Sequence, residues 1–311
     1  MNCFSPCRAL LALPFLALPL CAQSSEADAE QLLQQGKFAE ARTAYERQIS
    51  ASPSDLVAQN GEVLACEQLA LQARSRGNND EALNILVQAR KLVPGNVRLL
   101  YDLGLLEEEM HLFYDSDQTL AEAEKLAPNV PDVLYAVARI KMDRGDLAAA
   151  QAHMEAYLKQ RPTDASAHFG LGRIYQIGLQ FDAARAAFLR SVELQPVQTE
   201  SYYELGDLAL KQGDYDEALA RFNKVLERDA NHGGALEGAG EASFKEKKYD
   251  QARGFLEHAV AVAPSYAPSH YYLGLTLARL GRKEESAQEL ERANQLTEAE
   301  KKNSGARIRQ P

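Results

Sequence analysis

The sequence predicts an all-α protein, a solenoid of about eight helical hairpins, and three observations carry that expectation. Pro94, Pro128, Pro162, Pro196 and Pro264 lie on one 34-residue grid, with Ala230 at the missing point. Aligned on that grid, two columns twelve residues apart hold only small residues. The eighth reads Ala29, Ala70, Gly104, Ala138, Gly172, Gly206, Gly240, Gly274, and the twentieth reads Ala41, Ala82, Ser116, Ala150, Ala184, Ala218, Ala252, Ser286. Small side chains let two helices approach closely, so one such column on each helix of a hairpin marks where the pair touch. The larger apolar residues recur at i, i+3, i+4 and i+7, and no stretch alternates as a strand would.

Taken in order, the chain opens with the features of an export signal. Arg8 supplies a positive start, Ala9 to Leu20 is an uncharged apolar run, and Leu20-Cys21-Ala22 ends on a small residue. Residues 1–22 are therefore expected to be a cleaved signal peptide, which makes the mature protein periplasmic or secreted. The run is too short to span a bilayer, and Pro14 and Pro19 interrupt it. The minor alternative is a lipoprotein anchored at Cys21, against which stands Leu20 where a small residue is usual. Cys3, Cys7 and Cys21 leave with the signal, and the remaining Cys66 sits at a helix-packing position.

The repeat body, 23–300, divides into segments 22–55, 63–96, 97–130, 131–164, 165–198, 199–232, 233–266 and 267–300. Each is expected to form two helices of about 14 residues, a length whose apolar stripe can face a neighbour. The seventh column is mainly Leu or Val. The twenty-fourth reads Tyr45, Leu86, Leu120, Met154, Phe188, Phe222, Leu256, Leu290. Gly36, Gly77, Gly145, Gly213 and Gly281 share the fifteenth column, where a glycine closes the first helix. Asn78 with Glu81, and Asp214 with Glu217, are spaced as capping boxes that open the second. Seven extra residues precede the second full repeat. They predict either one continuous helix over 54–76, projecting about 10 Å beyond its neighbours at 1.5 Å per residue, or a loop at Asn60-Gly61. Both ends are polar, as the ends of a stack must be: Glu26, Asp28 and Glu30 mark the first helix. A short basic tail, 301–311, follows the last.

These columns make the sequence resemble the tetratricopeptide repeat family, whose pattern joins small residues at columns eight and twenty to a proline near column thirty-two. The likeness is clearest in Thr199 to His232, with Leu205-Gly206, Gly213-Asp214-Tyr215 and Ala218. It departs where Asp28 replaces the seventh-column aliphatic and where Ala230 and Glu298 replace proline. The resemblance implies a right-handed α-solenoid whose first helices line a concave groove that binds a protein or peptide. The groove positions it implies are Tyr101, Leu105, Tyr135, Arg139, Phe169, Arg173, Tyr203, Asp207 and Tyr271, with Glu237 interrupting the aromatic series. Rings facing solvent beside two arginines would suit an extended or acidic segment.

Composition and motifs point away from catalysis. A formal charge of -10, from 34 basic and 44 acidic residues, repels phosphate backbones and anionic lipids. No HExxH, GxSxG or phosphate-loop lysine occurs, and no two histidines lie within four residues of each other. His168 and His270 fall on a packing column. The string Gly238-Ala-Gly240 lies inside a predicted helix with no strand before it, and Glu107, Glu108 and Glu109 point in different directions on one helix. No cofactor, metal or nucleic acid is expected. The leading expectation is a non-catalytic interaction scaffold or adaptor of the bacterial cell envelope; the alternative is a non-catalytic subunit that positions an envelope enzyme or glycan-processing complex.

Overall fold

The computed structural model describes residues 28–307, which form helices and turns with no strand among them. The expected signal peptide, with Cys3, Cys7 and Cys21, lies outside these residues. The chain divides into two compact units, one ending at Ile140 and the other beginning at Lys141.

The first unit contains α1 (28–34), α2 (Phe38–Ala51), α3 (Leu56–Ser75), α4 (Asn79–Leu92), α5 (Val97–Glu109), α6 (Phe113–Leu126) and most of α7 (Pro131–Asp143). The second contains α8 (Leu147–Gln160), α9 (Ala165–Ile177), α10 (Phe181–Leu194), α11 (Thr199–Gln212), α12 (Tyr215–Leu226), α13 (Gly233–Lys245), α14 (Tyr249–Val262), α15 (Ala267–Arg279) and α16 (Lys283–Arg307). Within each unit successive helices pack as hairpins stacked on hairpins. The core is accordingly a series of seams, such as Ala184, Phe188, Leu205 and Leu208, then Ala218, Phe222, Ala235 and Ala239.

Each hairpin turn is built the same way. The fifteenth-column residue takes positive φ, and the next N–H donates back across the last helical turn, as from Asp214 to the Ala209 carbonyl at 2.9 Å. Five of these residues are glycine, but His111, Leu179 and Lys247 adopt φ 60°, 58° and 64° at the same column. Asn78 and Asp214 cap the second helix by accepting the N–H of Glu81 and Glu217, each at 3.2 Å. The Glu81 carboxylate returns to the Asn78 amide at 2.9 Å, whereas Glu217 is taken by Arg221 at 2.8 Å.

The small columns meet as their composition requires. A Cβ on Gly172 would stand 2.5 Å from the Phe188 ring, and one on Gly240 would stand 2.5 Å from Leu256 Cγ. Column eight thus receives column twenty-four of its own hairpin. Where the twentieth column is serine the contact gains a hydrogen bond: Ser116 donates to Gly104 O and Ser286 to Gly274 O, both at 2.8 Å.

The extra seven residues continue a helix. α3 has 20 residues against 13 in α5 and α7, which at 1.5 Å per residue makes it about 10 Å longer. Asp55 caps it, accepting from Val57 and Ala58. The two added turns are not a free projection, because α2 covers one side: Ala58, Gly61, Glu62 and Val63 are buried. Only the far side is open, with Leu56 at 69% and Val57 at 62% exposure. At the other end, α16 runs through Arg307, so the tail expected from residue 301 begins as helix.

Candidate functional site

The first helices of the hairpins carry the sequence-predicted site, and the unit boundary splits it. Tyr101 and Leu105 on α5, with Tyr135 and Arg139 on α7, belong to the first unit. Phe169 and Arg173 on α9, Tyr203 and Asp207 on α11, and Tyr271 on α15 belong to the second.

The five rings are less open than a solvent-facing ladder requires. Tyr101, Tyr135, Phe169 and Tyr203 are half-buried and Tyr271 is 48% exposed. Phe169 stacks on Phe188 at 5.7 Å, and Tyr203 lies against Phe222 at 5.9 Å and His232 at 5.2 Å. Tyr101 and Leu105 lean on the seam around Leu100 and Val137. Phe169 and Tyr203 thus rest on the second helix of their own hairpin, while Tyr101 leans on the seam with the next one.

The charged positions are already paired. Arg139 Nη2 lies 2.7 Å from Glu108 Oε1 on the neighbouring first helix. Arg173 Nη1 lies 3.7 Å from Glu204 Oε1, and Lys211 holds Asp207 at 2.5 Å. The arginines stitch adjacent first helices together, so an acidic segment would have to compete with these carboxylates.

Further groups complete the face of the second unit. Glu237 on α13, which breaks the aromatic series, sits between α11 and α15. Burial, reinforced by Glu241 and Asp207, pushes its carboxyl up to about 7. Tyr203 is pushed up to about 12, first by burial and then by Asp207. The Tyr272 hydroxyl donates to Glu241 at 2.5 Å, and Tyr266 is 46% exposed. Glu237 and Glu241 occupy columns five and nine, so their place on the first helix was legible, whereas their burial was not.

The first unit holds a cavity of about 260 Å³ between α3 and α5 that the sequence reading missed. Glu67, Leu71, Arg74, Arg98, Asp102 and Leu105 are among its walls. Arg98 binds Glu67 Oε2 at 2.5 Å, and Arg74 pairs with Glu109. The Glu67 side chain is only 9% exposed, and its Oε1 accepts no hydrogen bond from a protein donor. The Glu67 and Asp102 carboxyls interact; burial, and then this juxtaposition, pushes Glu67 up to about 7, and burial raises Asp102 as well.

His168, His270 and Cys66 each have partners within the fold. His168 and His270 each reach the carbonyl of the proline six residues earlier at 3.0 Å, and His270 also contacts Glu289 at 2.6 Å. Cys66 is buried and donates to Glu62 Oε1 at 3.2 Å; burial, reinforced by Glu62, holds its thiol far above the usual range. Among the described residues no group of three or more His, Cys, Asp or Glu could hold a metal ion, and no helix is long and apolar enough to cross a membrane.

The tetratricopeptide repeat family model matches residues 135–199, 178–232, 203–268 and 248–300, and a second tetratricopeptide model matches 27–47. No curated protein matches the sequence. Among solved structures, a tetratricopeptide repeat protein from Parabacteroides merdae is 18% identical with a TM-score of 0.58, over 74% of this chain and 93% of that one. YrrB, described as a TPR protein with an unusual peptide-binding site, is 20% identical with a TM-score of 0.50, over 57% and 91%. The APC/C hetero-tetramer Cut9-Hcn1 gives 15% identity and 0.56, over 91% and 54%. At these identities the likeness is one of fold.

Proposed function

The chain belongs to the tetratricopeptide repeat family, and from that premise we propose that it is a non-catalytic interaction scaffold of the bacterial cell envelope, binding a partner polypeptide along the first-helix faces of its hairpins. The observation that carries this reading is the composition of those faces. Half-buried rings rest on a fixed base, and ion pairs within the face hold its charged groups in place before any partner arrives. Such preorganisation lowers the ordering cost that a peptide-binding surface must meet. YrrB, whose described property is a peptide-binding site, offers an analogue at the level of fold.

Placement in the envelope follows from the signal-like residues 1–22. Intact mass of the native protein should give a mature start near Gln23, whereas diacylglycerol on Cys21 would make it a lipoprotein.

Peptide display against the full chain tests the binding reading. Selected peptides should lose at least tenfold in affinity when Tyr266 and Tyr271, the most exposed tyrosines of the second-unit face, are replaced by Ala, with the thermal transition nearly unchanged. Undiminished binding by that variant, and by Tyr101→Ala in the first unit, would move the contact surface elsewhere. A stoichiometric hydrolase or synthase recovered with the native protein would favour the enzyme-positioning alternative.

A further inference from the structure

Charge is sorted along the first helices of the second unit's last three hairpins. On α11, α13 and α15 the bases are Lys211, Lys245 and Arg279, all at column thirteen, in the last turn. The acids, Glu200, Glu204, Asp207, Glu237 and Glu241, lie between columns two and nine. Two of the bases reach back one turn to a column-nine acid, Lys211 to Asp207 at 2.5 Å and Lys245 to Glu241 at 3.6 Å. Glu204 is met from α9 by Gln176 at 2.9 Å and Arg173 at 3.7 Å. Glu237 is left over. It is half-buried rather than sealed, and among the described residues it has no hydrogen-bond or ion-pair partner. The charged neighbours that act on it, Glu241 and Asp207, are themselves acidic.

Tyrosines border this carboxyl from both sides. Gly234, Glu237 and Glu241 follow at i, i+3 and i+7, so they share one stripe of α13. The Tyr203 hydroxyl from α11 lies against the start of that stripe, where a Cβ on Gly234 would stand 2.9 Å from it. From α15 the Tyr272 hydroxyl donates to Glu241 at 2.5 Å, one turn beyond Glu237. Tyr271 meets Tyr272 edge-on at 5.4 Å and is 48% exposed, and Tyr266, just before α15, is 46% exposed.

The face already holds one cation in this way. Lys245 Nζ lies 5.9 Å over the Tyr272 ring while it reaches Glu241, the acid to which the same tyrosine donates. A ring and a carboxylate thus share an ammonium. Tyr203 and Glu237 offer the same two kinds of group one turn back along α13.

We propose that the face formed by α11, α13 and α15 docks a basic, extended segment of the partner polypeptide, with a lysine or arginine of that segment paired to Glu237 and lying along the neighbouring tyrosines. The inference rests on reading the first-helix faces as the binding surface, and it states the chemistry of what this part takes. It also reverses the sign suggested by Arg173, which Glu204 already engages. An acidic segment would bring like charge against Glu237 and Glu241, and an apolar one would cover the Glu237 carboxylate without giving it a donor. Neighbouring first helices about 8–10 Å apart make the face roughly 16–20 Å across, the reach of about five or six extended residues.

The test uses the full chain and fluorescence anisotropy with three labelled peptides of about six residues, in which alanine alternates with lysine, norleucine or glutamate. The lysine peptide should bind saturably and about tenfold or more tighter than the other two. Glu237→Gln, which keeps the shape of the side chain and removes its charge, should weaken that binding by about fivefold or more, and Glu237→Lys should transfer the preference to the glutamate peptide. The whole chain carries a charge of -10, so Glu193→Gln and Glu227→Gln, exposed acids on second helices or their ends, are the controls for unspecific attraction and should leave the affinity nearly unchanged. Thermal melts by circular dichroism report the integrity of each variant; should Glu237→Gln not fold, Asp207→Asn carries the test, with a weakening of about threefold or more. The inference is overturned if the lysine peptide is not preferred, or if the controls weaken its binding as much as the face variants do. Displayed peptides that depend on Tyr266 and Tyr271 but are not basic would remove this inference and leave the general reading standing; a chain that captures no displayed peptide loses both.

Discussion

His111, Leu179 and Lys247 occupy a turn position that glycine fills in the other hairpins, and they do so with positive φ. For a residue with a Cβ this conformation costs roughly 1–2 kcal/mol, offset by the greater chain entropy that glycine would lose, about 0.5–1 kcal/mol. Leu179 is the cleanest case, being 73% exposed. Leu179→Gly and Lys247→Gly should therefore each stabilise the fold by about 0.5–1 kcal/mol in urea titrations, while Gly213→Ala, at φ 81°, should destabilise it by a similar or larger amount. The five glycines announce this turn in the sequence. The other three do not, since the turn there is imposed by the two helices it joins and residue type carries no sign of it. The site divides in the same way. Column position alone placed Tyr101, Tyr203 and Tyr271 on first helices, but not how far each ring sinks into its seam. The pairing of Arg139 with Glu108 and of Arg173 with Glu204 depends on the offset between neighbouring helices, which a single repeat's pattern does not contain. The interacting carboxyls of Glu67 and Asp102 were hidden for the same reason.

Among the elements, α3 departs most from the regular pattern. Its Gly61 lies against the Tyr45 ring, with an added Cβ only 2.2 Å from Cζ. Gly238 meets Phe222 in the same way, and Gly170 approaches Met154. In all three the glycine stands sixteen residues after the large side chain of the preceding hairpin. Read alone, Gly61 resembles a helix breaker; read against Gly170 and Gly238, it is the small residue that lets α3 approach α2. The first half of α3 is thus in register with the hairpin before it. Its second half, where Ala70 shares a cluster with Leu86, is in register with α4. Seven residues make almost two turns at 3.6 per turn, so the packing face returns with a drift of only about 20°. Gly61→Ala should destabilise the protein by about 1–3 kcal/mol through overpacking, despite a gain of up to about 1 kcal/mol in helix propensity. Chemical denaturation measures the sign; a stabilised variant would mean that Tyr45 can swing aside.

At the scale of the whole chain, three carboxyls are held up to about 7 with burial the first cause: Glu62, Glu67 and Glu237. Each titrates near 4.3 when unfolded, so between about 4.3 and 7 the folded state binds more protons than the unfolded one. The stability they contribute is complete below that window and is lost as pH rises through about 7. The thermal midpoint should therefore fall between pH 5 and pH 8, and Glu62→Gln combined with Glu237→Gln should flatten the dependence; an unchanged slope would assign it to other groups. Where those carboxyls sit was not legible, because acidic residues abound in the chain and only the packing shows which are covered. The two turns added to α3 bear on how such a chain can change length. A segment inserted within a repeat ordinarily rotates everything beyond it out of register, yet here the hairpins on either side each keep their own face of one rod. The rod acts as a vernier: lengthening it by another seven residues would slide the first hairpin about 10 Å along the axis while turning it by only about 20°. Spacing along this helix and the direction in which its neighbours face can then vary independently, a freedom that an insertion of three or four residues would forfeit.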